Sequence, residues 1–409
     1  MKVLFLIHRY PPARGGSEYY VQEIARRLVR DGHEATIYTS NLLEIEGFWR
    51  RGRQRLSSGC AVEEGVTIHR FQARVLPLHG VFSRALGLVP WAPVGLTLAP
   101  PGLILPDLWQ AVRARENFDL VHAGAYPSLM YLGAVAAQRS GAKLVEVPHM
   151  HPGIDGQLSQ RHYFLSRRMI RLYGRADAVI AQTESERQVL LDVGVEGESV
   201  FVSGSGVNPE AGKGADGARF RRKYGIAPDA PIVSFVGHKT EGKGILDLLG
   251  AAPALMARWP DLIMALVGAP TPDFVRRYAS LPGGVRDRVL DLHLVDEDKH
   301  DLLAASSALV LPSKDDSFGI VLLEAWLQGT PVIGARAGGI PEVVQEGKTG
   351  LLVPYGSTPA IVEAIAWLLE HPVEAAQMGA RGREGTLERW TCEAVYQRVR
   401  RVYEHCLDS

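Results

Sequence analysis

Two acidic residues, Asp316 and Glu324, stand eight positions apart in the segment PSKDDSFGIVLLEAWLQGTPV (312–332). The spacing predicts that Asp316 precedes a helix over 318–328 and that Glu324 lies about 12 Å further along it, at about 1.5 Å per residue. Glu324 stands among apolar residues, where an unpaired carboxylate costs several kcal/mol. It therefore needs a partner, which is either a polar ligand or another residue of the chain.

The start of the same helix is predicted to bind an anion, because amides in the first turn have no intrahelical acceptor. The amides concerned are those of Phe318, Gly319 and Ile320. A diphosphate bound there would place a sugar near Asp316 and a ribose near Glu324. In the alternative interpretation, Asp316 or Ser317 only caps the helix and Glu324 pairs with an internal Arg or Lys.

Short apolar runs rich in β-formers alternate with segments of helical period, which predicts parallel α/β sheets. Strands are predicted at 2–8, 34–40, 66–71, 119–122, 143–147, 177–181, 199–203, 231–237, 261–268, 289–294, 308–312 and 331–335. Helices are predicted at 19–33, 243–258, 271–280, 297–306, 318–328, 358–370 and 390–408. This pattern predicts two doubly wound, Rossmann-like domains, over 1–205 and 206–387, with a helix-poor linker at 206–217. The C-terminal helix (about 388–409) is expected to be able to pack back on the first domain.

Ligands of open parallel sheets bind beyond the carboxyl ends of the strands, so the strand-to-helix loops hold further candidates. These candidates are Gly15 and Gly16 in the first loop, His149 and its rival His151 after strand 143–147, and His238 and Lys243 after strand 231–237. Each has an ordinary alternative: a Gly-Gly turn, a structural histidine or a solvated lysine.

The string PSKDDSFGIVLLEAWLQGTPVIGARAGGIPEVVQEGKTGLLVP resembles the signature of the family 4 retaining glycosyltransferases of GT-B architecture. The resemblance implies two Rossmann-like domains facing a central cleft, with the nucleotide-sugar donor on the C-terminal domain and the acceptor on the N-terminal one. It implies that Asp316 contacts the transferred sugar and that Glu324 contacts the ribose. It also implies that Gly15 and Gly16 approach the donor and that His149 faces the sugar.

Two positions depart from the family pattern. Asp316 replaces the usual Glu, and His238 replaces an Arg that normally neutralises the donor diphosphate together with the lysine at Lys243. Lys239 is a candidate to compensate for the missing Arg. The catalytic set predicted by this resemblance is His149, Asp316 and Lys243, with no metal ion and no cofactor beyond the nucleotide sugar.

The predicted function is transfer of a sugar, with retention, from a nucleotide diphosphate sugar to a glycan, lipid-linked or small-molecule acceptor. UDP is the favoured donor nucleotide. The main alternative is a non-catalytic nucleotide-sugar-binding or regulatory protein of the same fold, and a sugar epimerase or phosphorylase is a third. The segment 41–110 interrupts the α/β pattern and is expected to face the acceptor.

Composition excludes several other classes. Lys plus Arg and Asp plus Glu each number 45, so the net charge argues neither for nor against a polyanionic partner, and a nucleic-acid partner is not predicted. The three cysteines, Cys60, Cys392 and Cys406, have no metal-binding spacing and fit a cytoplasmic, reducing compartment. The acidic run 296–298 is expected to open a helix rather than to bind a metal.

Two segments bear on membrane contact. The apolar run 87–106 contains five prolines, which argues against a spanning helix. The segment 161–175 is rich in arginine and is predicted to form one basic helix, with a solvated face as the preferred interpretation. Peripheral contact with the inner face of a membrane is the alternative.

Overall fold

The computed structural model describes residues 1–48, 52–75, 103–151, 161–294 and 296–409. Most of the predicted apolar run 87–106 and part of the predicted loop 148–156 lie outside the described residues. The chain divides into two units: the first comprises Met1–Met150, Gln160–Ser203 and Val395–Ser409, and the second His151–Ser159 and Gly204–Ala394. Each unit contains a mainly parallel sheet with helices packed on it, so the α/β prediction is confirmed.

The first unit is built on a sheet that, within the described residues, has eight strands in the order β10-β9-β8-β7-β1-β2-β4-β3. Its strands are β1 (Lys2–Leu6), β2 (Glu34–Ser40), β3 (Gly59–Glu63), β4 (Val66–Phe71), β7 (Leu120–Gly124), β8 (Lys143–Val147), β9 (Ala178–Ala181) and β10 (Val200–Val202), and a separate pair is formed by β5 (Arg74–Val75) and β6 (Leu103–Ile104). Its helices are α1 (Gly16–Arg30), α2 (Pro106–Ala111), α3 (Pro127–Ser140), α4 (Arg161–Phe164), α5 (Arg167–Tyr173) and α6 (Glu184–Asp192). All neighbouring strands of the large sheet are parallel except β3 and β4.

The second unit has, among its described residues, a fully parallel sheet in the order β13-β12-β11-β14-β15-β16. Its strands are β11 (Ile232–Val236), β12 (Ile263–Val267), β13 (Val289–Leu292), β14 (Ala308–Leu311), β15 (Val332–Ala335) and β16 (Gly350–Val353). Its helices are α7 (Gly217–Tyr224), α8 (Ile245–Arg258), α9 (Pro272–Ala279), α10 (Gly283–Arg286), α11 (Asp296–Ala305), α12 (Ile320–Leu327), α13 (Ile340–Val343), α14 (Thr358–Glu370) and α15 (Pro372–Arg389), followed by α16 (Cys392–Asp408). Among the described residues, short 3-10 turns lie at Ile45–Phe48 and Gly197–Ser199 in the first unit and at Glu241–Lys243 in the second.

The strands were recognisable in the sequence because parallel strands are covered on both faces and therefore read as continuous apolar runs. β1 and β14, for example, are buried along nearly their whole length. Helix starts follow ordinary capping chemistry: Thr183 Oγ1 accepts a hydrogen bond from the amide of Glu186, and Thr271 Oγ1 from that of Phe274. From Val395 onward, α16 places its apolar face in the core of the first unit, where Tyr403 and Tyr396 are fully buried.

The structure corrects several predicted elements. The basic segment 161–175 forms two short helices rather than one, because Ser166 caps the second by accepting from the amide of Met169. The sequence prediction missed strands β3 and β16 and several helices, among them α3, α6, α7 and α15. Helix α1 begins at Gly16 instead of residue 19. The acidic run does open a helix, as predicted, and Asp298 pairs there with Lys223. Within the described part of the chain, no helix has the length and apolar character needed to span a membrane.

Candidate active site

The strand order of the second unit identifies where a ligand should bind. From β11 the chain proceeds outward to β12 and β13 on one side of the sheet. It then crosses to β14 on the other side of β11 and proceeds outward to β15 and β16, so the strand order reverses between the neighbouring strands β11 and β14. A crevice opens at the carboxyl ends of strands that flank such a switch point. The loops that follow β11 and β14 are 237–244 and 312–319, which are the two loops that carry the predicted donor-site residues.

Lys243 and Asp316 meet at this switch point. The ammonium of Lys243 lies 2.8 Å from Oδ2 of Asp316 and donates a hydrogen bond of 2.8 Å to the backbone oxygen of Asp315. The contact between Lys243 and Asp316 is an ion pair whose angles do not meet those of a hydrogen bond. The Asp316 carboxylate is therefore held mainly by charge attraction. The amide of Lys314 also donates to the backbone oxygen of Gly242, which ties the two loops together. The structure thus brings together two residues that are 73 positions apart in the sequence.

The helix after Asp316 begins later than predicted. Gly319 has a φ of 85°, a left-handed conformation that favours glycine, and α12 starts at Ile320. Phe318 is buried and its ring packs edge-on against Trp390 at 5.0 Å. The prediction that the amides of residues 318 and 319 belong to the first helical turn is therefore wrong, and the amides without an intrahelical acceptor begin at Ile320. No side chain caps this helix, so the capping alternative for Asp316 and Ser317 is also wrong.

Glu324 has a partner inside the chain. Its Oε1 accepts a hydrogen bond of 2.8 Å from the ammonium of Lys299 on α11, and the two side chains are only 16% and 17% exposed. This is the internal pairing that the sequence left open as an alternative. The sequence contains several basic residues that could pair with Glu324. The packing of α11 against α12 is what brings Lys299 into contact with it.

The structure separates His238 from Lys239. His238 is exposed in the loop after β11, where it has room to meet a ligand. Lys239 is fully buried, forms an ion pair with Asp291 and lies over the ring of Phe274 at 4.9 Å. Burial lowers the pKa of Lys239, while Asp291 acts in the opposite direction. The hypothesis that Lys239 replaces the missing Arg is therefore wrong, because its charge is held inside the unit.

In the first unit, the Gly15–Gly16 turn adjoins a buried charged cluster. Oε1 of Glu18 lies 3.2 Å from Nε2 of His8 and 2.5 Å from Nη2 of Arg9, and all three side chains are at most 5% exposed. Burial would raise the pKa of Glu18, but His8 and Arg9 hold it well below its usual range. A Cβ at Gly15 would lie 2.1 Å from Oε2 of Glu18, so this glycine makes room for the carboxylate.

The sequence predicts a ligand-facing role for Gly15 and Gly16. The structure places Gly16 at the first position of α1 and gives Gly15 a packing role beside Glu18. His8 and Arg9 were missed, although both follow the first strand directly, in the sequence LIHRYPP. A pair of basic residue types close to the end of a buried strand is the signal that could have identified them.

The two candidate histidines differ in their surroundings. His149 belongs to the first unit, has a φ of 51° and packs its ring edge-on against Tyr20 at 5.2 Å. A left-handed conformation is costly for a non-glycine residue and is concentrated at functional sites, which supports the prediction for His149. His151 groups with the second unit. Burial lowers the pKa of its imidazole, as does Lys243, whereas Asp316 raises it, so His151 lies in the field of the Lys243–Asp316 pair.

Glu146, a residue outside the predicted site, is fully buried on β8. Neither carboxylate oxygen has a hydrogen-bond partner among the described residues, and the same holds for the hydroxyl of the buried Tyr173 on α5. Burial raises the pKa of Glu146 well above its usual range. Burial also raises the pKa of Tyr173 well above its usual range, and the negative charge of Glu146 raises it further. An acidic residue in the otherwise apolar strand KLVEV was the available signal.

Glu146 gives a prediction for the pH dependence of stability. The pKa of Glu146 is raised in the folded state. Its contribution to the free energy of unfolding is therefore fully present below the ordinary pKa of 4.5 and is lost as the pH rises through the folded-state pKa. We expect the free energy of unfolding of the wild type to fall with pH, relative to Glu146→Gln, by up to about 1.4 kcal/mol per unit above pH 5. Urea unfolding at pH 5, 6, 7 and 8 measures this difference. Glu184→Gln, at a side chain that is 69% exposed, serves as the control, and parallel curves for Glu146→Gln and the wild type would refute the assignment.

Comparisons with known families agree with this arrangement. Residues 216–385 match the family described as "Glycosyl transferases group 1", and residues 14–211 match "Glycosyltransferase Family 4". The two matches together span most of both units.

Curated relatives are similar over most of their length. The D-inositol 3-phosphate glycosyltransferase of Streptomyces bingchenggensis is 31% identical over 368 residues, which cover 85% of this chain and 75% of the relative. The GDP-mannose-dependent alpha-(1-6)-phosphatidylinositol monomannoside mannosyltransferase of Mycolicibacterium smegmatis is 27% identical over 404 residues, which cover 95% and 94%.

Solved structures share the fold. Anabaena HepE in complex with UDP-glucose superimposes with a TM-score of 0.75 at 21% identity, over 99% of both chains. Sucrose-phosphate synthase from Thermosynechococcus elongatus gives 0.75 at 23% identity, over 100% of this chain and 99% of its own. At these identities the likeness concerns the fold alone, and it confirms the predicted GT-B class.

Proposed function

Because the chain belongs to the family 4, group 1 glycosyltransferases of GT-B fold, we propose that it transfers a sugar with retention of configuration from a nucleotide diphosphate sugar. The acceptor is a glycan, a lipid-linked sugar or a small molecule. The observation that carries the proposal is the meeting of Lys243 and Asp316 at the strand switch point, where a diphosphate sugar would place its phosphates and its hexose.

The geometry supports a division of roles. The Lys243 ammonium would leave Asp316 for the donor diphosphate and stabilise the charge that develops on it as it departs. Asp316 would then accept hydrogen bonds from sugar hydroxyls, and the exposed His238 would donate one to a phosphate oxygen. His149 would hydrogen-bond the transferred sugar. A front-side displacement, in which the donor phosphate removes the acceptor proton, needs no protein nucleophile.

The nature of the donor and acceptor is proposed from the relatives. UDP remains the favoured nucleotide, and structures of this fold contain UDP-glucose, whereas one relative is named as GDP-mannose-dependent, so GDP is the competitor. The name D-inositol 3-phosphate glycosyltransferase, shared by several relatives, supports a small phosphorylated polyol as the acceptor class. We propose no further cofactor and no metal ion, because Lys243 supplies the positive charge.

The proposed location is the cytoplasm, since all three cysteines carry free thiols. Peripheral contact with the membrane remains a secondary proposal. It rests on the exposed Arg167, Arg171 and Arg175, which follow one another at helical spacing along α5 and just beyond it.

The first experiment is thermal stabilisation by UDP, GDP, ADP and their sugars in the presence of EDTA. A nucleotide at a hundred times its Kd adds about 2.7 kcal/mol to the free energy of unfolding, so one nucleotide series should shift the melting temperature clearly. Glu324→Ala should lose this shift. Glu346→Ala, which removes a surface partner of Arg336 in the same unit, should keep it.

The possible results separate the functions considered. If no nucleotide or nucleotide sugar stabilises the wild type, the donor site is refuted. The non-catalytic alternative predicts binding without release of nucleoside diphosphate from the bound sugar nucleotide when acceptors are supplied. The relatives, which are named as glycosyltransferases, argue against that alternative.

A further inference from the structure

The helix α11 presents a lysine to the predicted ribose carboxylate. Lys299 donates a 2.8 Å hydrogen bond to Oε1 of Glu324, and both side chains are largely buried. Within the described residues, Lys299 is the one side-chain partner that the structure gives to this carboxylate. The family resemblance assigned no residue to this position.

The opposite side of α11 is fixed to α7. Asp301 accepts hydrogen bonds from Nε and Nη2 of Arg219 at 2.5 and 2.7 Å, and both oxygens of Asp298 accept from Lys223 at 2.8 Å. These contacts limit rotation and sliding of the helix. The Lys299 ammonium therefore reaches Glu324 from a fixed base, which few exposed lysines can do.

We propose that Lys299 is a positioning residue for donor recognition, which holds the Glu324 carboxylate in one orientation so that its second oxygen, Oε2, accepts hydrogen bonds from the ribose hydroxyls. This inference rests on the proposed function. Without a buried partner, a carboxylate on an apolar helix face would turn toward solvent, and this change removes a directed acceptor. The Lys299–Glu324 pair is thus expected to favour binding of a ribose over a deoxyribose, and we call it the ribose selector.

The ribose selector predicts a specific pattern of binding. A protein that accepts hydrogen bonds from a ribose hydroxyl disfavours the analogue that lacks it, because a buried acceptor is then left unpaired. Wild-type protein should bind UDP at least about tenfold more tightly than 2′-deoxy-UDP. In Lys299→Met this ratio should fall below about threefold, while Lys299→Arg, which keeps the cation, should restore part of it. Because ribose contacts are alike in the ground and transition states, the effect on turnover should appear in KM more than in kcat.

The experiment is calorimetric titration of UDP and 2′-deoxy-UDP into the wild type, Lys299→Met, Lys299→Arg and the matched control Lys223→Met. The control removes a lysine that pairs with the same helix from its other face, and it should keep the wild-type ratio. If Lys299→Met is folded and discriminates as the wild type does, the inference is overturned while the proposed function stands. If GDP or ADP is the nucleotide bound, the same ratio is measured with that base. If the wild type binds none of the three nucleotides, the proposed function is refuted and the inference falls with it.

Discussion

We expect Lys243→Met to lower kcat/KM by a factor of about 10²–10³, the usual cost of removing one preorganised charge that stabilises a transition state. Lys243 stands at the switch point of the second unit, 2.8 Å from Asp316. Without its ammonium, the departing diphosphate would lose this positive charge and would depend on hydrogen bonds from backbone amides and His238. The loss should fall mainly on kcat, because the charge on the leaving group grows during the reaction.

The measurement is steady-state release of nucleoside diphosphate from the donor identified by thermal stabilisation. Folding should be little affected: the side chain of Lys243 is 22% exposed, and loss of its contacts should cost about 1–2 kcal/mol. Lys213→Met is the control, since Lys213 is 71% exposed and pairs with Glu210 on the surface of the same unit. A folded Lys243→Met protein with kcat/KM within threefold of the wild type would show that the diphosphate binds elsewhere.

The second large effect concerns the stability of the first unit. We expect Glu18→Gln to lower the free energy of unfolding by about 3–5 kcal/mol, because it leaves Arg9 as a buried charge without its counter-charge. The neutral amide also weakens the contact with His8. Urea unfolding followed by circular dichroism at pH 7 measures the difference.

The pH dependence provides an internal check on this prediction. The pKa of Glu18 is held low in the folded state. Its contribution to the free energy of unfolding is therefore present above the ordinary pKa of 4.5 and is lost as the pH falls below that value toward the folded-state pKa. The difference in the free energy of unfolding between the wild type and Glu18→Gln should therefore become smaller below pH 4.5. Burial also lowers the pKa of His8, which destabilises both proteins below its ordinary value of 6.5. Glu34→Gln, at a side chain that is 72% exposed, should change stability by less than about 0.5 kcal/mol, and an equally small effect of Glu18→Gln would refute the cluster's role.

Much of the architecture was predictable because it depends on local pattern. Buried parallel strands read as apolar runs, and helices show their period, so most strands of both sheets were found within one or two residues. Some of the missed or misplaced elements were decided by a single residue or by a short length: the eight-residue α7, the break at Ser166 and the delayed start of α12 at Gly319. Two long helices, α3 and α15, were also missed.

The sequence by itself determined that Lys243 and Asp316 lie in strand-to-helix loops and that Glu324 required a partner. These conclusions follow from element order, from the cost of burying a carboxylate and from the family signature. The sequence could not choose among partners, because ion pairing depends on distances between elements that are remote along the chain.

The tertiary structure made those choices. It set Lys299 against Glu324 by packing α11 on α12, and it turned Lys239 inward to Asp291 instead of toward a phosphate. It also gathered His8 and Arg9 around Glu18, a cluster that requires the first strand, its loop and α1 to be in place at once. A charged side chain's role is fixed by which opposite charge lies within about 4 Å of it, and only the folded chain defines that distance.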